Sequence, residues 1–126
     1  MWFENIVGGS NTAALDRVIG FTEARHKVLA DNIANIDTPG YKMRDLQVRQ
    51  FHDDLKKAID DRTLPQDTQI EAKTDFDQYL LFHDNNNRSI EKQMTAMTEN
   101  TLLHNTAVDL LRSRYLLLEK AISLRP

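Results

Sequence analysis

The chain has 126 residues, 40% hydrophobic and 28% charged, with a formal net charge of −3 and an isoelectric point near 5.8. That balance fits one soluble domain over residues 1–126 and supplies neither a general attraction to nucleic acid or anionic lipid nor a basic run that would create one. There is no cysteine, so disulfides and thiolate metal sites are excluded, and reducing or oxidising surroundings suit the chain equally.

The N-terminus, Met1 to Ser10, lacks a basic leading region and has only a short apolar run, unlike a cleavable secretory signal. Trp2, Phe3, Ile6 and Val7 fit a helical turn set off by Gly8 and Gly9, or else a frayed end. Ser10 or Asn11 can cap a helix over residues 11–36, where Leu15, Val18, Ile19, Leu29, Ile33 and Ile36 recur on steps of threes and fours. Thr22, Arg25 and His26 interrupt this stripe at mid-length, which a simple apolar core would not choose.

Residues 37–42 form a turn that the helix cannot pass. Pro39 has no amide hydrogen and pushes Thr38 out of the helical region, while Gly40 can adopt the positive φ required at the third position of a type II turn. Asn32 and Asn35 are mediocre helix formers placed in the last turns of the helix. Asn35 and Asp37 can help end it through local side-chain to backbone bonds. Asn32 lies too far inside for that.

The middle, residues 43–88, is polar and mostly irregular. Val48, Phe51, Leu55 and Ile59 make one short amphipathic helix with a charged opposite face. Residues 61–75, with Pro65 and few apolar anchors, read as a loop or poorly ordered arm. Phe76 to Phe82 reads as an extended, strand-like segment, closed by a turn at Asp84-Asn85-Asn86-Asn87.

The C-terminal segment, 89–124, carries the strongest periodicity. Ile90, Met94, Met97, Thr101, His104, Val108, Leu111, Tyr115, Leu118 and Ile122 alternate steps of four and three, the heptad seam of a left-handed coiled coil, with Asn87 or Ser89 as cap. A second row at Leu103, Ala107, Leu110, Leu117, Ala121 and Leu124 leaves more apolar surface than one partner helix covers. The expected fold is therefore mainly α, with long N- and C-terminal amphipathic helices forming a coiled-coil-like layer around a short irregular middle. Two such helices enclose little core by themselves, so partner chains are implied.

Asn32-Ile33-Ala34-Asn35-Ile36-Asp37-Thr38-Pro39-Gly40-Tyr41-Lys42, followed by Arg44-Asp45, resembles the N-terminal signature of the bacterial flagellar rod and hook family, most nearly that of its proximal rod subunits. Asp84 to Lys92, Met97 to Asn100 and Ala107 to Leu111 continue the likeness. Asn85 stands where the family usually has glycine, and Arg88-Ser89 where it has Val-Asp. The resemblance spans residues 11–47 and 84–122.

It implies a structural subunit of the proximal rod that self-assembles through its terminal helices into a helical tube for flagellum-dependent motility. On that reading Asn32, Ile33, Ala34, Asn35, Asp37, Thr38, Pro39, Gly40 and Tyr41 form an assembly motif, and the heptad positions form an assembly seam. The implied partners are copies of the chain, other rod subunits, the basal-body adaptor and membrane ring, and the flagellar type III export apparatus, which would export it without a cleaved signal. Its place would be the periplasmic rod of the basal body, with no membrane span of its own. The alternative is a soluble helical adaptor or secretion chaperone that grips a partner helix along the same seam.

Chemistry is not indicated. His26, His52, His83 and His104 lack the spacing that aims two imidazoles at one metal. The pairs Asp53-Asp54 and Asp60-Asp61 point apart on a helix, and there is no phosphate loop or nucleophile motif. We expect no catalytic, metal or cofactor residue. His26 and His104 fall in the polar middle of their stripes, so an antiparallel hairpin could bring them together with Thr22 and Thr101 as a register-setting layer, unless each is separately hydrogen-bonded or solvent-facing.

Overall fold

The computed structural model describes residues 12–62, 76–82 and 89–124. The N-terminal turn expected around Trp2 to Val7, the cap at Ser10 or Asn11, most of the polar arm and the turn at Asp84 to Asn87 lie outside the described residues.

Helix α1 (Thr12–Ala34) ends where the signature begins to turn. The Asp31 carbonyl accepts both the Asn35 amide at 3.0 Å and the Asn35 side-chain Nδ2 at 2.9 Å. The Asn35 side chain thus adds a second bond to the last-turn carbonyl that its own amide already holds, a local bond that competes with further helix. Thr38 continues the chain of bonds, its amide on the Asn35 carbonyl and its hydroxyl on Asn35 Oδ1. A tight turn follows, closed by the Tyr41 amide on the Thr38 carbonyl at 3.2 Å, with Gly40 at φ +77° as the type II turn requires.

The chain then forms a strand that the sequence did not announce, β1 (Arg44–Leu46), followed by α2 (Val48–Asp60). Phe76–Tyr79 make a 3-10 turn that leads into β2 (Leu80–Phe82), and β2 pairs antiparallel with β1 in the register Arg44↔Phe82, Asp45↔Leu81, Leu46↔Leu80. Part of the segment Phe76 to Phe82 is therefore extended, as expected, but its first half coils. Helix α3 (Ile90–Ser123) has Ser89 as its N-cap, the side chain accepting the Lys92 amide. Its 34 residues span about 50 Å at about 1.5 Å per residue.

Helices α1 and α3 form an antiparallel hairpin, with Asn32 bonded to Gln93 at one end and Thr22 to Asn100 and His104 further along. On α1 the buried row is Leu15, Val18, Thr22, Leu29 and Asn32, and on α3 it is Gln93, Asn100 and Ala107. These are heptad spacings, and Ala107, fully buried, lets the helices approach closely. The α3 row lies one residue, or about 100° of helix, from the apolar seam read from the sequence. Of that seam Met97, His104, Val108 and Leu111 are half-buried, whereas Ile90, Met94, Thr101, Tyr115, Leu118 and Ile122 are exposed.

The other half of the core is aromatic. Phe21 of α1 stacks on Phe51 of α2, ring centres 4.0 Å apart and nearly parallel, and Phe76 and Tyr79 meet both edge-on. Gly20 permits this, because a Cβ there would stand 3.3 Å from two carbons of the Phe76 ring. The polar middle thus contributes a lid of four rings with α1, and the chain encloses core without a partner. Among the described residues no helix is long and apolar enough to cross a membrane.

Candidate assembly site at the helix hairpin

Asn32 is fully buried although its side chain is polar. Its Nδ2 donates to the Arg44 carbonyl and to Gln93 Oε1 at 2.9 Å, while its Oδ1 accepts the Arg44 amide at 3.0 Å and the Tyr41 hydroxyl at 3.1 Å. Both protons and both lone pairs of one carboxamide are used, the full capacity of the group. Three parts of the chain converge on it: the turn through Tyr41, β1 through Arg44 and α3 through Gln93. An aspartate would lack the donors and a leucine would leave buried backbone groups unpaired.

Two ion pairs flank this lock. Arg25 meets Asp45 in a bidentate pair, Nε to Oδ1 at 2.9 Å and Nη2 to Oδ2 at 3.0 Å, largely shielded from solvent, and Asp45 Oδ1 also accepts the Leu46 amide. Planar, double contact of this kind holds α1 and β1 in one orientation. Arg44 Nη2 reaches Asp31 Oδ2 at 2.9 Å in a more exposed pair of smaller energetic weight.

The residues read as an assembly motif therefore divide. Asn32 and part of Tyr41 face inward and organise the chain itself, and Ile33 and Asn35 are half-buried. Ala34, Asp37, Thr38, Pro39 and Gly40 form an exposed knob at the end of the hairpin.

At mid-hairpin the Thr22 hydroxyl donates to the Ile19 carbonyl at 2.8 Å and lies 2.8 Å from His104 Nδ1. Asn100, buried, donates Nδ2 to the Thr22 carbonyl at 2.8 Å. A notch of about 310 Å³ opens between the helices here, lined by Thr22, Glu23, His26, Lys27, Asn100, Thr101 and His104. The hairpin thus brings the expected residues to one level, with Thr22 and His104 bonded and His26 and Thr101 on the walls. Beside it, along the outer face of α3, lies a shallow groove of Met94, Met97, Thr98, Thr101, Leu102 and Asn105.

Sequence reasoning missed Gln93 and Asn100, which an apolar count passes over. The available signal was their spacing: Gln93, Asn100 and Ala107 share one heptad position. Tyr79 was also missed; its hydroxyl donates to Asp54 Oδ2 at 2.9 Å, and burial, with that carboxylate beside it, pushes its pKa up to about 12. No group of three or more metal-ligating side chains occurs among the described residues.

The last turns of α3 complete the site. Tyr115, Leu116, Leu117, Leu118, Ile122 and Leu124 are all at least half exposed, an apolar overhang past the part of α3 that packs on the described residues of α1.

A hairpin locked by buried polar bonds and ending in an apolar overhang is the build of a structural subunit. The family model for the flagella basal body rod protein matches residues 22–42, the stretch from the Thr22 level through the lock and its turn. Over 101 residues the chain is 33% identical to the flagellar basal body rod protein FlgB of Aquifex aeolicus (strain VF5), covering 71% of this chain and 74% of that protein. The chain belongs to the flagellar basal-body rod protein family, whose members are structural proteins of the basal body. No solved structure matches it.

Proposed function

We propose that this chain is a subunit of the proximal rod, that residues 1–126 act as one rod-subunit domain, and that copies of it, together with other rod subunits, pack into a helical tube on which flagellum-dependent motility relies. The observation that carries this is the overhang of α3. Leu117, Ile122 and Leu124 expose 67%, 71% and 81% of their surface, on a helix already anchored to its own chain through Gln93, Asn100 and Ala107. An exposed apolar patch of this kind suits a subunit with non-closing contacts to its neighbours.

Family membership supports the remaining features of this reading. The chain would leave the cytoplasm through the flagellar type III apparatus without cleavage and take its place in the periplasmic rod, beside the basal-body adaptor and membrane ring. Nothing in this role calls for catalysis or a cofactor. The adaptor or chaperone alternative would use the same helices, but it gives no account of the exposed knob at Asp37 to Gly40. The decisive experiment is to locate the tagged chain in purified basal bodies. We expect it to co-purify with the rod; its retention in the cytoplasm of cells with complete basal bodies would overturn the proposal.

A further inference from the structure

Leu103, Leu110, Leu117 and Leu124 fall on one stripe of α3 by steps of seven. Leu103 and Leu110 pack against the core, whereas Leu117 and Leu124 are 67% and 81% exposed. The stripe is buried where the described part of α1 lies beside it and bare beyond the level of Thr12, where that part begins. The bonds across the hairpin, Thr22 to Asn100 and His104 and Asn32 to Gln93, join residues whose numbers add to about 125, as an antiparallel helix pair requires. On that register residues 1–11, outside the described part, stand level with residues 114–124.

The sequence of residues 1–11 suits this stripe, but not as an unbroken run of α1. Continued in phase, the buried row of Leu15, Val18 and Thr22 would pass through Asn11, Gly8, Glu4 and Met1. A carboxylate would then face the leucines, and Trp2, Phe3, Ile6 and Val7 would lie on average about 100° away from them. That angle is one residue of helix. Gly8 and Gly9 supply the place to absorb it, because glycine is a poor helix former that accepts many backbone angles. A single bulge there that takes up one residue, as a π turn does, brings the four apolar side chains round to the row. It also turns Glu4, the one charged side chain in residues 1–11, out of the apolar contact.

We infer that residues 1–7 of the same chain, re-phased at Gly8 and Gly9, cover the bare end of this stripe, with Val7 over Leu117 and with Trp2 and Phe3 over Leu124. The contact prolongs the hairpin interface that already buries Leu103 and Leu110. It closes one side of the overhang only. Tyr115, Leu116 and Ile122 lie on the other side of α3 by their phase and stay open to neighbouring subunits.

This inference concerns one chain and does not rest on the rod reading. Trp2 is the only tryptophan, so its fluorescence reports the contact in dilute full-length protein. Its emission should be blue-shifted from that of the urea-unfolded chain, and by the same amount at every protein concentration. Leu117→Lys should return it most of the way to the unfolded value, while Leu116→Lys, on the open side, should leave it in place. The chain lacks cysteine, so a second measurement oxidises the double variant Val7→Cys with Leu117→Cys. Its disulfide should close within one chain at least about tenfold faster than that of Val7→Cys with Leu116→Cys. Emission equal to that of the unfolded chain, a blue shift that grows with concentration, or equal rates of disulfide closure would each overturn the inference. Finding the tagged chain in basal bodies is a separate result, so the rod reading can stand where this contact fails.

Discussion

Asn32 Nδ2 and Gln93 Oε1 lie 2.9 Å apart in the interior, joining residues 61 positions apart in sequence. The same carboxamide holds the backbone of Arg44 at both its amide and its carbonyl, so a single side chain sets the angle of the turn and the register of the hairpin. Truncation to Asn32→Ala would strand these groups in a dry site. We expect a loss of about 2–4 kcal/mol in urea unfolding, above the usual effect of a polar truncation. Gln93→Leu removes only one of the partners and should cost less. A loss below about 1 kcal/mol for Asn32→Ala would mean that the turn is held by other contacts.

At Gly40 the constraint is dihedral and not spatial. A Cβ there would meet nothing within 4 Å, yet φ is +77°. Gly40→Asn should therefore be nearly neutral and Gly40→Ala should cost about 1–2 kcal/mol, with the β-branched Gly40→Val worse still. Lys42→Ala, at an exposed position, should stay close to wild type. Thermal melts of the four variants check the order. Equal melting temperatures for the Asn and Val variants would remove the turn assignment.

Tyr79 offers a pH signature. Its pKa is raised from 10.0 to about 12 by burial and by its bond to Asp54. The folded state thus favours the protonated phenol, and the stability this supplies is fully present below pH 10, then lost as pH rises through about 12. Tyr79→Phe should lower stability at neutral pH by about 1 kcal/mol, for the lost hydrogen bond. The variant should also show a flatter decline of stability above pH 10 than the wild type. Parallel declines for the two proteins would show that other groups drive the alkaline transition.

The helical frame and the turn were legible because each follows a local rule: periodicity, or proline and glycine geometry. What the sequence concealed is non-local. Phe21 and Phe51 stack only because the chain reverses at Pro39-Gly40, and β1 exists only because Leu80 to Phe82 return to pair with it. Gln93 and Asn100 were passed over for a related reason. Apolar counting assumes that a helix buries its greasiest stripe, whereas α3 buries the stripe whose carboxamides find partners on α1 and leaves apolar residues outside. The exposed motif and seam residues pose a question of assembly, because contacts between chains are not written into one chain's periodicity.

The division of the seam makes that last question testable. Leu111 is half-buried and packs against the core of its own chain, while Leu118 and Ile122 are 56% and 71% exposed. A lysine at Leu111 removes core packing and places a charge against apolar side chains, so Leu111→Lys should lower the stability of the free chain by about 2 kcal/mol or more. Any assembly defect it shows would be ambiguous. Leu118→Lys and Ile122→Lys touch no core, and surface substitutions of this kind shift stability by no more than about 0.5 kcal/mol. If the overhang is an assembly surface, these two variants should fold normally, leave the cytoplasm at near normal levels, and be absent from isolated basal bodies, with motility lost. Unfolding curves, secreted fractions and basal-body blots separate the three steps. Normal incorporation of both would show that the overhang is not a contact, and retention of folded protein in the cytoplasm would assign the last turns of α3 to export instead.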